Sequence, residues 1–530
     1  MIDPYSTDVL WVVIVGFIIA FILAFGIGAN DVANSFGTSV GSKVLTAKQA
    51  CCLATVFEIA GSVLLGYKVA DTVRKGILQV KLYEDAEFEL MLGMFAALIG
   101  SSVMLLGATF LKLPISATHS IVGATLGFSL VCRGNDGVNW GVLGLIVGSW
   151  FLSPVLSGVI SVSLFALVRH FILNAPNPIV RGLLSLPIIY GVTVFINVFS
   201  IVHDGPSLLY LDKIPWWGAL ILSVVIAAVT ILVVQLFVVP FMKRKIEEAG
   251  STQNTTGGVT FDGLKRTDIV CPEAGNGTVT STSIKIRHLS DNSDGPLQTD
   301  EIMLTPPTNS EEAAVPPGAV ITLGQDNPAF SLSSHDRIKE PSLEEKEGSK
   351  KVEKVEKEDP PEVLKLFSFL QVLTATFASF VHGGNDVSNA IGPVIALWLI
   401  YTEGSVQQKA ETPIYILFYG GVGITVGVWV WGRRVMKTIG EDLTKITPYT
   451  GFTIEIGAAL TVLLASKIGM PISTTHCLVG SVVFVGWANA TKEGVDWKLF
   501  RNIVGAWLVT VPVSGLLSAA VIAILREVAL

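Results

Sequence analysis

The sequence predicts an all-α, polytopic membrane protein made of two inverted repeats, with about 12 transmembrane helices. Three observations carry that prediction. Apolar residues make up 51% of the 530 positions and charged residues only 15%, with a mean hydropathy of +0.61. The excess of acidic residues is confined to one internal segment, and two short blocks each recur once, at almost the same spacing. A soluble chain of this length covers its surface with charge, and this one lacks the charge to do so.

The first apolar run, Val9 to Ala29, holds no charged residue over 21 positions, enough to cross hydrocarbon as a helix. No basic region precedes it and no small-residue cleavage site follows, so it reads as a retained span rather than a signal peptide. Further spans are expected at about 48–66, 91–111, 115–132, 141–168, 183–202 and 216–240. A long broken element at 364–400 follows, then 413–432, 450–468, 471–488 and 501–525. These runs are too long and too continuously apolar for the strands of a barrel.

Residues 242–362 are a different material, with 14 basic and 22 acidic residues, the pairs Pro306–Pro307 and Pro316–Pro317, and a Lys/Glu run at 344–359. Such a composition offers little apolar area against the entropy of ordering, so the segment reads as a largely disordered loop. The organisation is then a first transmembrane half at 1–241, the loop at 242–362 and a second half at 363–530. Lys243, Arg244 and Lys245 close the seventh span and place the loop in the cytoplasm by the positive-inside tendency. Counting spans from there puts both termini outside. Arg74 and Lys75 then fall outside against the trend.

Residues 28–37 read GANDVANSFG and residues 383–392 read GGNDVSNAIG, identical at six of ten positions. Residues 114–123 read PISATHSIVG and residues 471–480 read PISTTHCLVG, identical at seven of ten. The offsets, 355 and 357, nearly agree. Seven spans separate the first copy from the second, and an odd number inverts one relative to the other. Inverted repeats suit alternating access around a site near the membrane midplane.

Asp31 and Asp386 occupy matching positions, as do Asn30 with Asn385 and Asn34 with Asn389. Ionised carboxylates beside hydrocarbon are costly, and carboxylate and amide oxygens are hard ligands suited to Na⁺, with unwound backbone completing the shell. Gly28, Gly37, Gly383, Gly384 and Gly392 would supply flexible or closely packed backbone at breaks there. The same Asp and Asn groups could instead cap helices or bond one another.

Pro114 and Pro471 can open a helix, placing Ser116, Thr118 and His119, and Ser473, Thr475 and His476, in its first turn. Free amides and hydroxyls there form an anion receptor suited to a tetrahedral oxyanion. His119 and His476 read equally as site-orienting groups and as satisfied core histidines. Glu58 and Glu455, embedded in apolar spans, read as ion-coupling groups or polar helix contacts. Asp8, Asp71 and the acids at 84–89 read as aqueous surface.

Five cysteines show neither metal-ligand spacing nor a disulfide framework. No phosphate-binding loop suggests ATP use, no basic aromatic surface suggests nucleic acid, and nothing suggests an enzyme or a bound cofactor.

GANDVANSFGTSVGS at 28–42, FEIAGS at 57–62, LPISATHSIVG at 113–123, GGNDVSNAIGP at 383–393 and MPISTTHCLVG at 470–480 together resemble the inorganic phosphate transporter (PiT) family. Within it, the animal type III sodium-dependent phosphate transporters are most similar, over about residues 9–240 and 364–525. The resemblance implies sodium-coupled symport of inorganic phosphate into the cell by alternating access, Na⁺ being co-transported. It implies sodium-ligand roles for Asn30, Asp31, Asn34, Asn385, Asp386 and Asn389, with Asp31 and Asp386 as the metal-binding carboxylates. Phosphate-site roles fall on Ser116, Thr118, Ser473 and Thr475, and transport-critical roles on Glu58 and Glu455. The expected partners are phosphate, Na⁺, the lipid bilayer of the plasma membrane and a second copy in a homodimer. H⁺-coupled oxyanion transport and a phosphate-binding receptor remain the competing readings.

Overall fold

Where no water is available to solvate a backbone, each amide must find its partner inside its own segment, and the apolar runs accordingly fold as helices. The computed structural model describes residues 2–246, 282–287, 299–304, 361–437, 443–489 and 494–529. The chain divides into two compact units, Met1–Ala249 with Lys357–Leu530, and Gly250–Glu356.

In the larger unit, twelve helices stand where twelve spans were expected. They are α1 Leu10–Gly41, α2 Ala47–Leu65, α3 Glu87–Phe110, α4 Ala117–Arg133, α5 Trp140–Val168, α6 Pro178–Val202, α7 Trp216–Val233, α8 Pro361–Glu403, α9 Ile414–Val430, α10 Pro448–Lys467, α11 Thr474–Asn489 and α12 Trp497–Ala529. Among the described residues, nine helices are long and apolar enough to cross a membrane, while α4, α9 and α11 have 16 or 17 residues. Capping boxes start α2 (Thr46 with Gln49) and α10 (Thr447 with Thr450, Pro448 at the first helical position).

The element at 364–400 was expected to be broken, and α1 and α8 were expected to unwind at their glycines. Both helices are continuous, α8 running through Pro393 over 43 residues. Of the two roles expected of the glycines, Gly28 and Gly383 take close packing: a Cβ on Gly28 would lie 1.8 Å from Ile424 O, and one on Gly383 would lie 2.4 Å from Glu58 O. Such approach distances admit only glycine.

Helices α3 and α4 form one hairpin and α10 and α11 another. Each is closed at its root by an isolated antiparallel bridge, Leu78 with Val138 in the first and Thr444 with Val495 in the second. Helix α12, 33 residues long, leaves the second root and near its far end delivers Arg526 to Glu89 and to Val131 O at the first root. That length spans roughly 50 Å, so the two roots lie at opposite ends of one long helix and the hairpins point at each other.

Each hairpin is gripped by the helix that follows the other hairpin. Helix α12 lies on α3–α4, where a Cβ on Gly127 would meet Gly515 O at 2.0 Å, and α5 lies on α10–α11, where one on Gly480 would meet Pro154 O at 2.3 Å. Ser149, Ser153, Ser157 and Ser161 form a buried ladder along α5, and Thr510, Ser514 and Ser518 repeat it along α12. Ser157 bonds Cys477 O and Ser481, and Ser161 bonds Ser481 Oγ at 2.9 Å.

Two expectations for charged groups are corrected. Glu87 and Glu89 are buried rather than at an aqueous surface, because Glu89 pairs with Arg133 at 2.6 Å and Arg526 at 3.4 Å. Arg74 is buried too, donating to Gln408 O, Ala410 O and Asp71 Oδ1, so its charge serves the 404–413 connection and not the flank of a span. At the far end of α6, Asp204 bonds Lys68, and that hydrogen bond holds its carboxyl below the usual range.

In the smaller unit the described residues are two strands, β1 Thr282–Arg287 and β2 Thr299–Leu304, paired antiparallel with Thr282 opposite Leu304. Composition averaged over the whole segment concealed this pair of short runs. Of the expected disordered loop at 242–362, residues 242–246 are helical and 361–362 open α8, while the remainder apart from these strands, including the Lys/Glu run at 344–359, lies outside the described residues.

Candidate ion and anion site

The two hairpin tips, residues 111–116 and 468–473, meet against α1 and α8. Ser116 caps α4 by accepting from His119 N at 3.2 Å, and Ser473 accepts from His476 N at the same distance in the second hairpin. Both first turns are thereby capped, and each retains first-turn amides without an intrahelical partner.

The tips then exchange contacts. Thr118 Oγ1 donates to Ile472 O at 2.9 Å, and Thr475 Oγ1 donates to Ile115 O at 3.2 Å. Asn389 Nδ2 donates to Thr118 Oγ1 at 3.2 Å, and Asn34 Nδ2 donates to Thr475 Oγ1 at 3.0 Å. The amide of each repeat thus holds a threonine of the other, and the symmetry seen in sequence reappears as paired hydrogen bonds.

Asn30 is fully engaged, with Nδ2 on Thr109 Oγ1 and Leu113 O and Oδ1 accepting from Ile115 N at 3.1 Å. Asn385 Nδ2 donates to Ile472 O and Asp386 Oδ1, while Thr474 Oγ1 lies 3.2 Å from both oxygens of Asp386. Within the two repeated ND blocks of α1 and α8, four buried side-chain oxygens have no hydrogen-bond donor among the described residues: Asp31 Oδ2, Asn34 Oδ1, Asn385 Oδ1 and Asn389 Oδ1. Buried acceptors without donors are costly, and a carboxylate with three amide oxygens is the donor set that a hard monovalent cation takes. The hydroxyls of Thr118 and Thr475 already donate to carbonyls, whereas Ser116 and Ser473 use only their oxygens as caps. Each serine therefore keeps a hydroxyl hydrogen for an anion at the helix N-termini.

The two buried glutamates sit beside this centre on different partners. Glu58 Oε1 accepts from Ser35 Oγ at 3.2 Å and Ser379 Oγ at 3.0 Å. Glu455 accepts from Thr38, Ser39 at 2.7 Å, Gln371 at 3.3 Å and Thr374, joining α10 to α1 and α8. Hydroxyl and amide donors of this number stabilise a carboxylate in a dry interior.

His119 and His476 face each other edge to face with ring centroids 4.5 Å apart. His119 lies against Trp150 at 3.9 Å and His476 against Trp507 at 3.8 Å, and His476 Nδ1 bonds Trp150 O at 2.9 Å. The four rings border an apolar cavity of about 560 Å³ between α5, α11 and α12, further lined by Phe151, Val155, Phe484 and Leu508.

Sequence reasoning missed several of these residues. Trp150 and Trp507, like all but the last rung of each serine ladder, belong to a third repeated stretch, 148–158 and 505–515, at the same offset of 357 but with only four identities in eleven. Thr474 and His382 have no polar counterpart, facing Ala117 and Ile27 in the alignment of the repeats, so duplication could not reveal them.

The model of the phosphate transporter family matches residues 27–518. Sodium-dependent phosphate transporter 1-B of Danio rerio is 44% identical, covering 99% of this chain and 96% of that protein. Sodium-dependent phosphate transporter 1 of Homo sapiens is 42% identical, covering 99% and 97%. A solved structure described as the sodium-dependent phosphate transporter aligns over 98% of this chain and 99% of that one, at 32% identity and a TM-score of 0.71.

Proposed function

The chain belongs to the phosphate transporter family, and from that premise we propose how its geometry performs sodium-coupled uptake of phosphate. It is a multi-pass membrane transporter and not an enzyme, with Na⁺ as the co-transported ion and no cofactor. Asp31, Asn34, Asn385, Asp386 and Asn389 bind Na⁺ where α1 and α8 face the hairpin tips, and Asn30 fixes the first tip in place. Ser116 and Ser473 present hydroxyls, and the first turns of α4 and α11 present amides, to phosphate. Thr118 and Thr475 hold the tips together around it. Glu58 and Glu455 tune the cation side, and His119 and His476 orient the first turns.

Cations entering first neutralise the carboxylates that would otherwise repel phosphate, which gives coupling a physical cause. The observation that carries this reading is the set of four donor-less oxygens beside two opposed helix N-termini. Alternating access follows when the opposed hairpins exchange the side on which the site opens. The chain is further assigned to the plasma membrane, with halves 1–241 and 363–530, the 242–362 loop cytoplasmic, both termini outside and a homodimeric assembly. Uptake of labelled phosphate into proteoliposomes under an imposed Na⁺ gradient tests the mechanism. Uptake indifferent to collapse of that gradient, or fully supported by protons alone, refutes it.

A further inference from the structure

His382 lies on α8, four residues before Asp386, and is 1% exposed. Its Nδ1 is 3.2 Å from Ser35 Oγ, and Ser35 Oγ donates to Glu58 Oε1, also at 3.2 Å. Ser35 is fully buried on α1 beside Asn34, and Glu58 on α2 is 4% exposed. One chain of hydrogen bonds therefore runs from the second repeat through the first to an intramembrane carboxylate. A serine has a single hydroxyl hydrogen. When it points to Glu58, the Ser35 oxygen can only accept from His382, which requires the neutral ring to carry its proton on Nδ1. The opposite tautomer would draw the Ser35 hydrogen to itself and leave that Glu58 oxygen with Ser379 alone.

The arrangement has no twin. Ile27 and Ala390 stand at the repeat positions matching His382 and Ser35, so the chain makes one half of the cation centre unlike the other. Ser62 Oγ, which donates to Glu58 O at 2.7 Å and lies 3.2 Å from Gly383 O, sits where α2 meets α8 beside this chain.

Resting on the sodium-coupled reading above, we propose that His382 is a positioning residue for Na⁺ coupling: it acts through Ser35 to hold Glu58 as an oriented carboxylate beside the α1 cation ligands.

The test is Na⁺ activation of phosphate uptake by the full-length protein in proteoliposomes. His382→Leu is expected to raise the half-activating Na⁺ concentration about fivefold, the equivalent of one buried hydrogen bond, with the phosphate KM at saturating Na⁺ unchanged. His382→Asn, whose amide can replace the Nδ1 donor, restores most of the Na⁺ response. Ser35→Ala carries the same shift should the leucine variant fail to reach the membrane, and combining Ser35→Ala with His382→Leu adds nothing further. Unchanged Na⁺ activation in His382→Leu, equal damage by Leu and Asn, or additive losses overturn the assignment. Nitrogen-15 NMR of histidine-labelled protein, with His382 assigned by its loss in His382→Asn, reads the chain independently of transport. A bare Nε2 with a protonated Nδ1 supports it and the reverse overturns it, even if uptake by the unaltered protein proves independent of Na⁺.

Discussion

Replacing Thr118 with valine should damage the tip-to-tip contact more than replacing Thr475, although the two residues are repeat twins. Valine keeps the shape of threonine, so no cavity opens and the cost is hydrogen bonding alone. Thr118→Val removes the bond to Ile472 O and, among the described residues, the only acceptor of Asn389 Nδ2, leaving that buried amide without a described partner at either end. Two lost bonds at about 1 kcal/mol each, with part of the penalty for an unsatisfied amide, come to about 2–3 kcal/mol. Thr475→Val removes a single hydroxyl hydrogen, shared between Ile115 O at 3.2 Å and Asp31 Oδ1 at 3.5 Å, but Asn34 Nδ2 keeps Thr474 Oγ1 at 3.1 Å, so the cost is about 1–2 kcal/mol. The population with joined tips should then fall by roughly 30- to 150-fold in Thr118→Val and by 5- to 30-fold in Thr475→Val. Spin labels at the exposed tip positions 112 and 468, in a cysteine-free background, report that population as a distance distribution, alongside phosphate uptake by the same proteins. Thr118→Ser, which keeps the hydroxyl, is expected to behave as the unaltered protein. Equal effects of the two valine variants, or a serine variant as impaired as valine, would show that these bonds do not hold the tips.

Asp31→Asn and Asp386→Asn should each reduce Na⁺ stimulation of uptake by tenfold or more, roughly the loss of one charged ligand, while surface abundance falls less. Parallel loss of uptake and folded protein would make the carboxylates structural. Ser116→Ala and Ser473→Ala should each raise the phosphate KM about three- to tenfold through a lost donor, and an unchanged KM in both removes the serines from the anion site. Gly127→Ala places a methyl group 2.0 Å from Gly515 O, so α12 must move off the first hairpin. The expected result is a lower melting temperature and poor assembly, since overpacking costs about 1–3 kcal/mol or more, and a normal melting curve counts against that grip.

What the amino-acid order discloses, and what it conceals, follows from the physics of each feature. Long apolar runs announce helices because lipid leaves no other solution, so all twelve could be placed. The ND and PIS blocks were visible because they are written twice. Asymmetric residues were not: Thr474 beside Asp386 and His382 at the end of a buried chain have apolar counterparts, and nothing marks them until α1, α2, α8 and α11 are brought together. At Gly28 and Gly383 the sequence left two roles open, because it cannot tell a residue that frees a backbone from one that lets two backbones touch. Glu89 was misplaced for a similar reason, its partners Arg133 and Arg526 being distant in the chain.

The exchange of gripping helices bears on how such a chain is made. The first hairpin leaves the ribosome early, yet the helix that covers it, α12, is the last to appear, and α5 waits for α10 and α11. The first half therefore sits in the membrane with its hairpin face uncovered for most of synthesis, relying on lipid or an insertion factor to shield it. Neither half made alone has a completed interior. Two separately expressed halves, one ending after α7 and one beginning before α8, would each be short-lived alone and stable only together, because the covalent join is not what unites them.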